Sequence, residues 1–239
     1  MQQALPVALS AQLALETHLA TIADNVANMS TPGHRATHAR FEAEVTRAGG
    51  PSIAFASAGE TYIDPSRGTV SATGNALDFA VTGEAWLALE TPTGAVLTRD
   101  GRFSLDEAGT LRSIEGHAVL GPEREAVVLD PRAGSPRVAA DGTIRQNGSI
   151  VGAIGLFETD GPPAIRAGSS GFLAINGMRA VLDRPDVALR QGMIEQSNVD
   201  PVVSMTRLIE VSRSFETVAN LAQRADGSLS EALRALGAK

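Results

Sequence analysis

The chain has 239 residues, of which 43% are hydrophobic, a formal net charge of -7 and no cysteine. This composition fits one or two globular units and excludes disulfides, thiolate metal sites and cysteine nucleophiles. The acidic balance, with no basic block, predicts no nucleic-acid partner. No apolar run approaches the roughly 18 residues of a membrane span, and no basic segment precedes an apolar one, so neither membrane insertion nor a cleavable secretion signal is predicted.

The N-terminal segment predicts an amphipathic helix. Its apolar residues recur at alternating spacings of three and four, which is the pattern of a coiled-coil seam. The pattern ends before Pro32-Gly33, because proline disfavours helix in the preceding residue and glycine permits a turn. The seam, with one polar member, consists of Leu5, Ala8, Gln12, Leu15, Leu19, Ile22 and Val26.

The middle of the chain, roughly from Ile53 to Leu189, predicts an antiparallel sheet or small barrel. Short apolar alternations are separated by dipeptides that are typical of hairpin turns, and no helical pattern interrupts them. The predicted strands are Asp78 to Thr82, Trp86 to Glu90, Gly94 to Arg99, Ile150 to Phe157 and Phe172 to Ile175. The turn dipeptides are Asp100-Gly101, Asp141-Gly142, Asn147-Gly148, Asp160-Gly161 and Asn176-Gly177.

A second seam predicts a long C-terminal helix. Asn198 or Asp200 is the predicted cap, and Pro201 falls early in the first turn, where its missing N–H is tolerated. The seam residues are Leu208, Val211, Phe215, Val218, Ala222, Ala225, Leu229 and Ala232.

These elements predict an α+β fold in which the N- and C-terminal helices pair as a coiled-coil stalk flanking a central antiparallel all-β domain. We expect a terminal-helix domain (1–33 with 196–239), an extended connecting segment (34–75 with 180–195) and a central β domain (76–179). Further apolar residues lie beside the two seams, so the paired helices still need neighbours. These residues are Leu9, Leu13, Val202, Met205 and Ile209.

Candidate catalytic and metal-binding residues are few. His34 and His38 stand four apart but follow Pro32-Gly33 and lack a third ligand, so we expect exposed histidines after a turn. Ser169 and Ser170 lack the strand-turn-helix setting of a nucleophilic serine and are expected in a loop. The sequence therefore predicts no enzymatic activity, no metal and no cofactor.

Three motifs together resemble the flagellar rod and hook family of axial proteins, and they cover nearly the whole chain in order. The first motif is Ile22-Ala23-Asp24-Asn25-Val26-Ala27-Asn28-Met29-Ser30-Thr31-Pro32-Gly33-His34-Arg35-Ala36. The second is Thr73-Gly74-Asn75-Ala76-Leu77-Asp78-Phe79-Ala80-Val81-Thr82-Gly83, continued by Thr91-Pro92-Thr93-Gly94 and Leu97-Thr98-Arg99-Asp100-Gly101-Arg102-Phe103. The third is Gln191-Gly192-Met193-Ile194-Glu195-Gln196-Ser197-Asn198-Val199.

The resemblance implies a structural subunit of the bacterial flagellar basal-body rod, which spans the periplasm. Such a subunit would polymerise through its terminal helices and transmit motor torque. Its implied partners are proximal and distal rod subunits, other copies of itself, and the flagellar type III export apparatus. The length and the compact connection from Phe41 to Thr69 most resemble a proximal-rod member, with a distal-rod member as runner-up. A β-rich secreted adhesin or binding module remains the alternative from another class.

The expected subunit-interface residues combine the two seams with polar groups near the end of the first helix. They are Leu15, Leu19, Ile22, Asn25, Val26, Asn28, Leu208, Val211, Phe215, Val218 and Ala222. For Asn25 and Asn28, a hydrogen bond to a neighbouring subunit and local capping of the helix end are both open.

Overall fold

The computed structural model of the chain describes residues 4–46, 53–57, 59–160, 165–174, 177–181 and 184–237. In these residues the chain forms one helix near each end, with strands between them. The elements up to residue 98 are α1 (Ala4–Ala27), β1 (Thr37–Arg40), β2 (Ala43–Thr46), β3 (Ile53–Ala56), β4 (Glu60–Ile63), β5 (Val70–Ala72), β6 (Phe79–Thr82), β7 (Leu87–Thr91) and β8 (Gly94–Thr98). Those that follow are β9 (Phe103–Leu105), β10 (Leu111–Ser113), β11 (Ala118–Val119), β12 (Arg137–Val138), β13 (Thr143–Gln146), β14 (Ser149–Ala153), β15 (Phe157–Glu158), β16 (Arg166–Ala167), β17 (Gly171–Leu173), β18 (Arg179–Ala180), β19 (Ala188–Gln191), β20 (Met193–Glu195) and α2 (Pro201–Gly237).

The chain divides into two units, and it passes between them four times. The helical unit comprises Met1–Ala27, Thr37–Asp64 and Asp200–Lys239, and the β unit comprises Asn28–Ala36 and Pro65–Val199. The α+β class is confirmed, since both helices lie at the ends of the chain and the β-strands of the described residues all pair antiparallel.

In the helical unit, α1 packs against α2, β1 and β3. The strands form two antiparallel pairs, β1 with β4 and β2 with β3. Asp200 caps α2 as predicted, because its Oδ1 accepts the backbone N–H groups of Val202 at 2.9 Å and Val203 at 3.0 Å. Pro201 occupies the first helical position, where no intrahelical donor is needed.

The burial of the two helices follows the predicted seams. Ile22 and Val211 are buried, and the other described seam residues are partly buried. The side chains of Leu5, Ala225, Leu229 and Ala232 lie outside the described residues. The predicted exposure of the off-seam residues is confirmed: Leu9 is 55% exposed, Leu13 53%, Val202 74%, Met205 44% and Ile209 55%.

The β unit is organised around a seven-stranded antiparallel sheet in the order β16-β17-β8-β7-β11-β10-β9. A three-stranded sheet, β12-β13-β14, and three pairs, β15-β18, β19-β6 and β20-β5, complete it. Aliphatic side chains from these sheets fill the core, with few aromatic rings among them. The main cluster consists of Phe79, Val81, Ala85, Leu87, Leu89, Phe103, Leu111, Val119, Val127, Leu129, Ile144, Ile154, Leu156, Val187 and Leu189.

The turn predictions are confirmed in part. Asn147 and Gly148 both have positive φ, 50° and 84°, and join β13 to β14 as a two-residue hairpin. Asp141-Gly142 lies between the paired strands β12 and β13. Gly161 and Asn176, from two further dipeptides, lie outside the described residues, as does Ile175 at the end of a predicted strand.

Two sequence predictions within the β unit are wrong. Asp100-Gly101 is not a hairpin turn, because β8 pairs with β7 and β17 while β9 pairs with β10. Gly101 instead lies against β6, where its carbonyl oxygen accepts the Phe79 N–H at 2.9 Å. The predicted strand from Ile150 to Phe157 is two strands, because β14 pairs with β13, whereas the Gly155 N–H donates to the Leu120 carbonyl at 2.9 Å and β15 pairs with β18.

Candidate functional site

Each helix of the helical unit presents exposed apolar side chains. They are Leu9 and Leu13 on α1 and Val202, Met205 and Ile209 on α2, and we call these two sets together the apolar stripe. Leu9 and Leu13 are four residues apart, and the α2 members are three and four apart, so each set occupies one face of its helix. Exposed apolar surface of this kind is typical of an interaction site.

Asn25, a predicted interface residue, makes its hydrogen bonds inside the helical unit. Its Nδ2 donates to the Thr37 carbonyl at 2.7 Å, and its Oδ1 accepts the Thr37 N–H at 2.8 Å. The side chain is 6% exposed. This geometry supports a role within the chain, joining the end of α1 to the start of β1, whereas a contact with a neighbouring subunit stays a prediction.

Asn28, the other polar candidate, lies in the turn after α1 and belongs to the β unit. Its carbonyl oxygen accepts the Thr31 N–H at 3.0 Å, and its Oδ1 accepts the Thr31 hydroxyl at 3.2 Å. The turn that ends the first helix is therefore built by Asn28 and Thr31 ahead of Pro32. An interface role for Asn28 also stays a prediction.

A buried carboxylate, Glu195, lies at the centre of a charged cluster in the β unit. It is 1% exposed, and its Oε1 accepts Arg35 Nη2 at 2.8 Å and the Gly68 N–H at 3.2 Å. Its Oε2 accepts Arg99 Nη1 at 3.1 Å. A carboxylate removed from water in this way requires such partners, because an uncompensated buried charge is strongly destabilising.

Arg35 is 2% exposed and joins this carboxylate to a distant part of the chain. Its Nη1 donates to the Pro65 carbonyl at 2.7 Å and also to the Ser66 carbonyl. Its guanidinium lies 5.7 Å from the ring centroid of Trp86. The planar guanidinium can donate several hydrogen bonds at once and stack near the Trp86 ring, so arginine suits this position better than lysine.

Arg99 is likewise 2% exposed and connects the carboxylate to the sheets. It follows β8 directly, and its guanidinium donates to the carbonyl oxygens of Val81 at 2.9 Å and Gly83 at 2.7 Å. It lies 4.9 Å from the Trp86 ring centroid. Burial lowers the pKa of Arg99 to about 10, and the charge of Glu195 opposes that shift, so Arg99 stays charged at neutral pH.

Each of the three sequence motifs contributes one member to this cluster: Arg35 from the first, Arg99 from the second and Glu195 from the third. We call Arg35, Arg99 and Glu195 the ion-pair hub. The ion-pair hub is not predicted from the sequence, because acidic and basic side chains are ordinarily exposed and no spacing links residues so far apart. The available signal was in the third motif, where Glu195 directly follows the apolar strand residues Met193 and Ile194.

The first and second motifs also approach closely through a glycine. Gly33 has φ +71°, and a Cβ there would lie 2.2 Å from the backbone nitrogen of Asp100. Its N–H donates to the carbonyl oxygen of Glu195 at 2.8 Å. Only glycine fits both the left-handed conformation and this backbone contact.

The prediction that His34 is exposed is wrong. The residue is fully buried in the β unit, and its Nδ1 lies 2.6 Å from the Ser169 carbonyl oxygen, to which it donates. The same carbonyl accepts Arg166 Nη1 at 3.1 Å. His34 is therefore a packed core residue that fastens the first motif to the turn before β17.

The remaining candidates have ordinary partners. His38 lies in the helical unit, 3.4 Å from Asp64, and Ser170 is buried against Thr98, with the two hydroxyls 3.4 Å apart. Among the described residues, no group of three or more histidines, aspartates or glutamates is placed to hold a metal ion. Neither helix, where described, has a stretch long and apolar enough to cross a membrane.

Three parts of the chain match flagellar families. Residues 5–35 match the family described as flagella basal body rod protein, residues 80–150 the flagellar hook protein FlgE/F/G D1 domain, and residues 190–235 the flagellar basal body rod FlgEFG protein C-terminal region. The class that the fold and the motifs define is thus that of flagellar rod and hook proteins.

Full-length relatives refine this class. The chain is 51% identical to the flagellar basal-body rod protein FlgF of Mesorhizobium japonicum over 240 residues, which covers 100% of both chains. It is 41% identical to FlgF of Rhizobium meliloti over 99% of both, and 26% identical to FlgG of Bacillus subtilis over 90% of this chain and 92% of the relative. The chain belongs to the FlgF family of flagellar basal-body rod proteins.

Family membership confirms several predictions. The chain is a structural protein of the flagellar basal-body rod and not an enzyme. The proximal-rod type, FlgF, was the member predicted from its length and compact connection, and the runner-up, FlgG, is not favoured.

Proposed function

We propose that this rod protein polymerises through its terminal helices, which pair as a coiled-coil stalk and transmit motor torque along the rod. The observation that carries the proposal is the apolar stripe beside a partly buried seam on both helices. Two helices bury one face against each other and leave a second apolar face, which a neighbouring subunit would cover.

The proposed interface joins the seams to the helix end. Its residues are Leu15, Leu19, Ile22, Asn25, Val26, Asn28, Leu208, Val211, Phe215, Val218 and Ala222. We propose 1–33 with 196–239 as the region of assembly, 34–75 with 180–195 as the connection, and 76–179 as the β domain. Buried seam residues such as Ile22 act by keeping α1 and α2 together, whereas the stripe supplies the outward contact.

The proposed partners are other copies of this chain and the proximal and distal rod subunits. The names of its relatives, all basal-body rod proteins, support assembly with other rod components. We also propose delivery as an unfolded chain through the flagellar type III export apparatus, which the family resemblance supports. An adhesin would instead bind a foreign ligand through its β surface, and its helices would need no neighbours.

Amide hydrogen exchange on dilute monomer and on isolated rods tests this proposal. We expect amides in residues 5–26 and 202–225 to exchange rapidly in the monomer, since helices that expose an apolar face to solvent are only marginally stable. In rods the same amides become protected. Strand β7, buried in the core of the β unit, should be protected in both samples and serves as the internal control. Equal protection of both helices in monomer and rods would contradict the proposal.

A further inference from the structure

Hydrogen bonds in the β unit join three of the four points at which the chain crosses between the two units. We call these three points the passages: the first follows Ala36, the second precedes Pro65 and the third follows Val199. These positions are far apart in sequence, and the hydrogen bonds that join them all lie within the β unit. Two side chains, Arg35 and Asn198, make most of these bonds.

Arg35 connects the first passage to the second. It directly precedes Ala36, and its Nη1 donates to the carbonyl oxygens of both Pro65, at 2.7 Å, and Ser66. Its Nη2 donates to Glu195. One guanidinium therefore holds the start of the 65–199 segment beside the end of the 28–36 segment.

Asn198 connects the third passage to the other two. Its Oδ1 accepts the Ala36 N–H at 2.6 Å, and its Nδ2 donates to the Ser66 carbonyl at 2.9 Å and the Ser66 hydroxyl at 3.1 Å. Its own N–H donates to the His34 carbonyl at 3.3 Å. The side-chain amide of Asn198 therefore accepts a bond from Ala36, at the first passage, and donates bonds to Ser66, beside the second.

The ion-pair hub connects Arg35, and through it the passages, to the sheets of the β unit. Glu195 holds Arg35 on one oxygen and Arg99 on the other, and Arg99 is fixed by the carbonyls of Val81 and Gly83. The three passages are consequently bonded to each other and to strands β6 and β8. An arrangement that only stabilised the core would not require bonds at three of the four ends of the two segments that form the β unit.

We propose that Asn198 is a positioning residue for rod assembly, which together with Arg35, anchored on Glu195, holds the three passages at a fixed spacing. Val199 precedes α2 by two residues, and the passages after Ala36 and before Pro65 flank the segment from β1 to β4, so their spacing sets the points at which the chain enters α2 and enters and leaves that segment. Assembly then depends on residues that contact no neighbouring subunit. This inference rests on the proposed role of the helices in polymerisation.

Asn198→Ala tests the inference, because Asn198 is only partly buried and lies outside the hydrophobic core. We expect loss of completed rods and of swimming, with the thermal transition of the β unit unchanged. The Ala36 amide should exchange about tenfold faster, as loss of one hydrogen bond of about 1.4 kcal/mol implies. Gln196→Ala is the matched control: Gln196 is also partly buried and donates to the Ser71 hydroxyl at 2.8 Å, away from the passages. It should assemble normally.

Normal rods from Asn198→Ala would overturn the inference. A β-unit transition lowered by Asn198→Ala but not by Gln196→Ala would also overturn it, because the residue would then act through stability alone. The proposed function fails on different grounds, namely if the wild-type helices gain no amide protection in rods. The two failures are therefore distinguishable.

Discussion

Phe215→Asp is expected to abolish rod assembly while the β unit melts as it does in the wild type. Phe215 is a partly buried seam residue of α2, and α2 packs against α1. A large apolar side chain at such a contact contributes about 1.5–3 kcal/mol when fully buried. The carboxylate removes that contribution and brings a charge into an apolar contact. Swimming, rod completion and melting of the soluble monomer are the measurements.

The neighbouring residue supplies a control for the added charge. Ser214 is exposed, so Ser214→Asp introduces the same carboxylate without entering the contact between α1 and α2. Ser214→Asp should therefore form rods in which the helix amides are as protected as in wild-type rods, whereas Phe215→Asp should form no rods. Normal rods from Phe215→Asp would refute helix packing as the mechanism, and collapse of the β-unit transition would show that the two units fold as one.

Glu195→Gln is expected to destabilise the β unit by about 3–5 kcal/mol, because it removes the one carboxylate shared by two buried guanidinium groups. Glutamine and glutamate side chains have nearly the same volume, so the change in the free energy of unfolding reports the lost charge rather than altered packing. The negative charge of Glu195 raises the pKa of Arg99 and so opposes the effect of burial. Without that charge, keeping the Arg99 guanidinium buried and charged at neutral pH costs more free energy. Denaturant unfolding of the purified chain measures the change.

Glu158→Gln is the matched control for that variant. Glu158 also pairs with two arginines, Arg179 at 2.8 Å and Arg184 at 3.2 Å, but this ion pair lies at the surface. Solvent screens such pairs, so we expect little change in the unfolding midpoint. Equal effects of the two variants would show that burial does not distinguish the hub from a surface ion pair.

The elements that could be predicted were those specified by local patterns. The α2 cap at Asp200, the hairpin at Asn147-Gly148 and the exposed stripe all follow from residues close together in sequence. The strand break after Ala153 could not be predicted, because it depends on a bond from Gly155 to Leu120, which lies far from it in the sequence.

The ion-pair hub and His34 show a second limit of sequence reasoning. His34 is polar and follows Pro32-Gly33, which favours exposure, yet Ser169 and Arg166 surround it in the fold. Arg35 and Glu195 are 160 positions apart and become partners only because the first and third motifs meet. Burial of a charge is decided by such long-range partners, which composition and periodicity do not record.

Photo-cross-linking from single cysteines in intact rods tests most directly whether the helices carry the subunit contacts. The chain has no cysteine, so Leu13→Cys, Ile209→Cys and Ile150→Cys each give one attachment site for a benzophenone probe. Leu13 and Ile209 lie in the apolar stripe, and Ile150 is an exposed apolar residue, 62% exposed, on β14 of the β unit. We expect adducts with neighbouring rod subunits from positions 13 and 209. Adducts from position 150 alone would contradict assembly through the terminal helices.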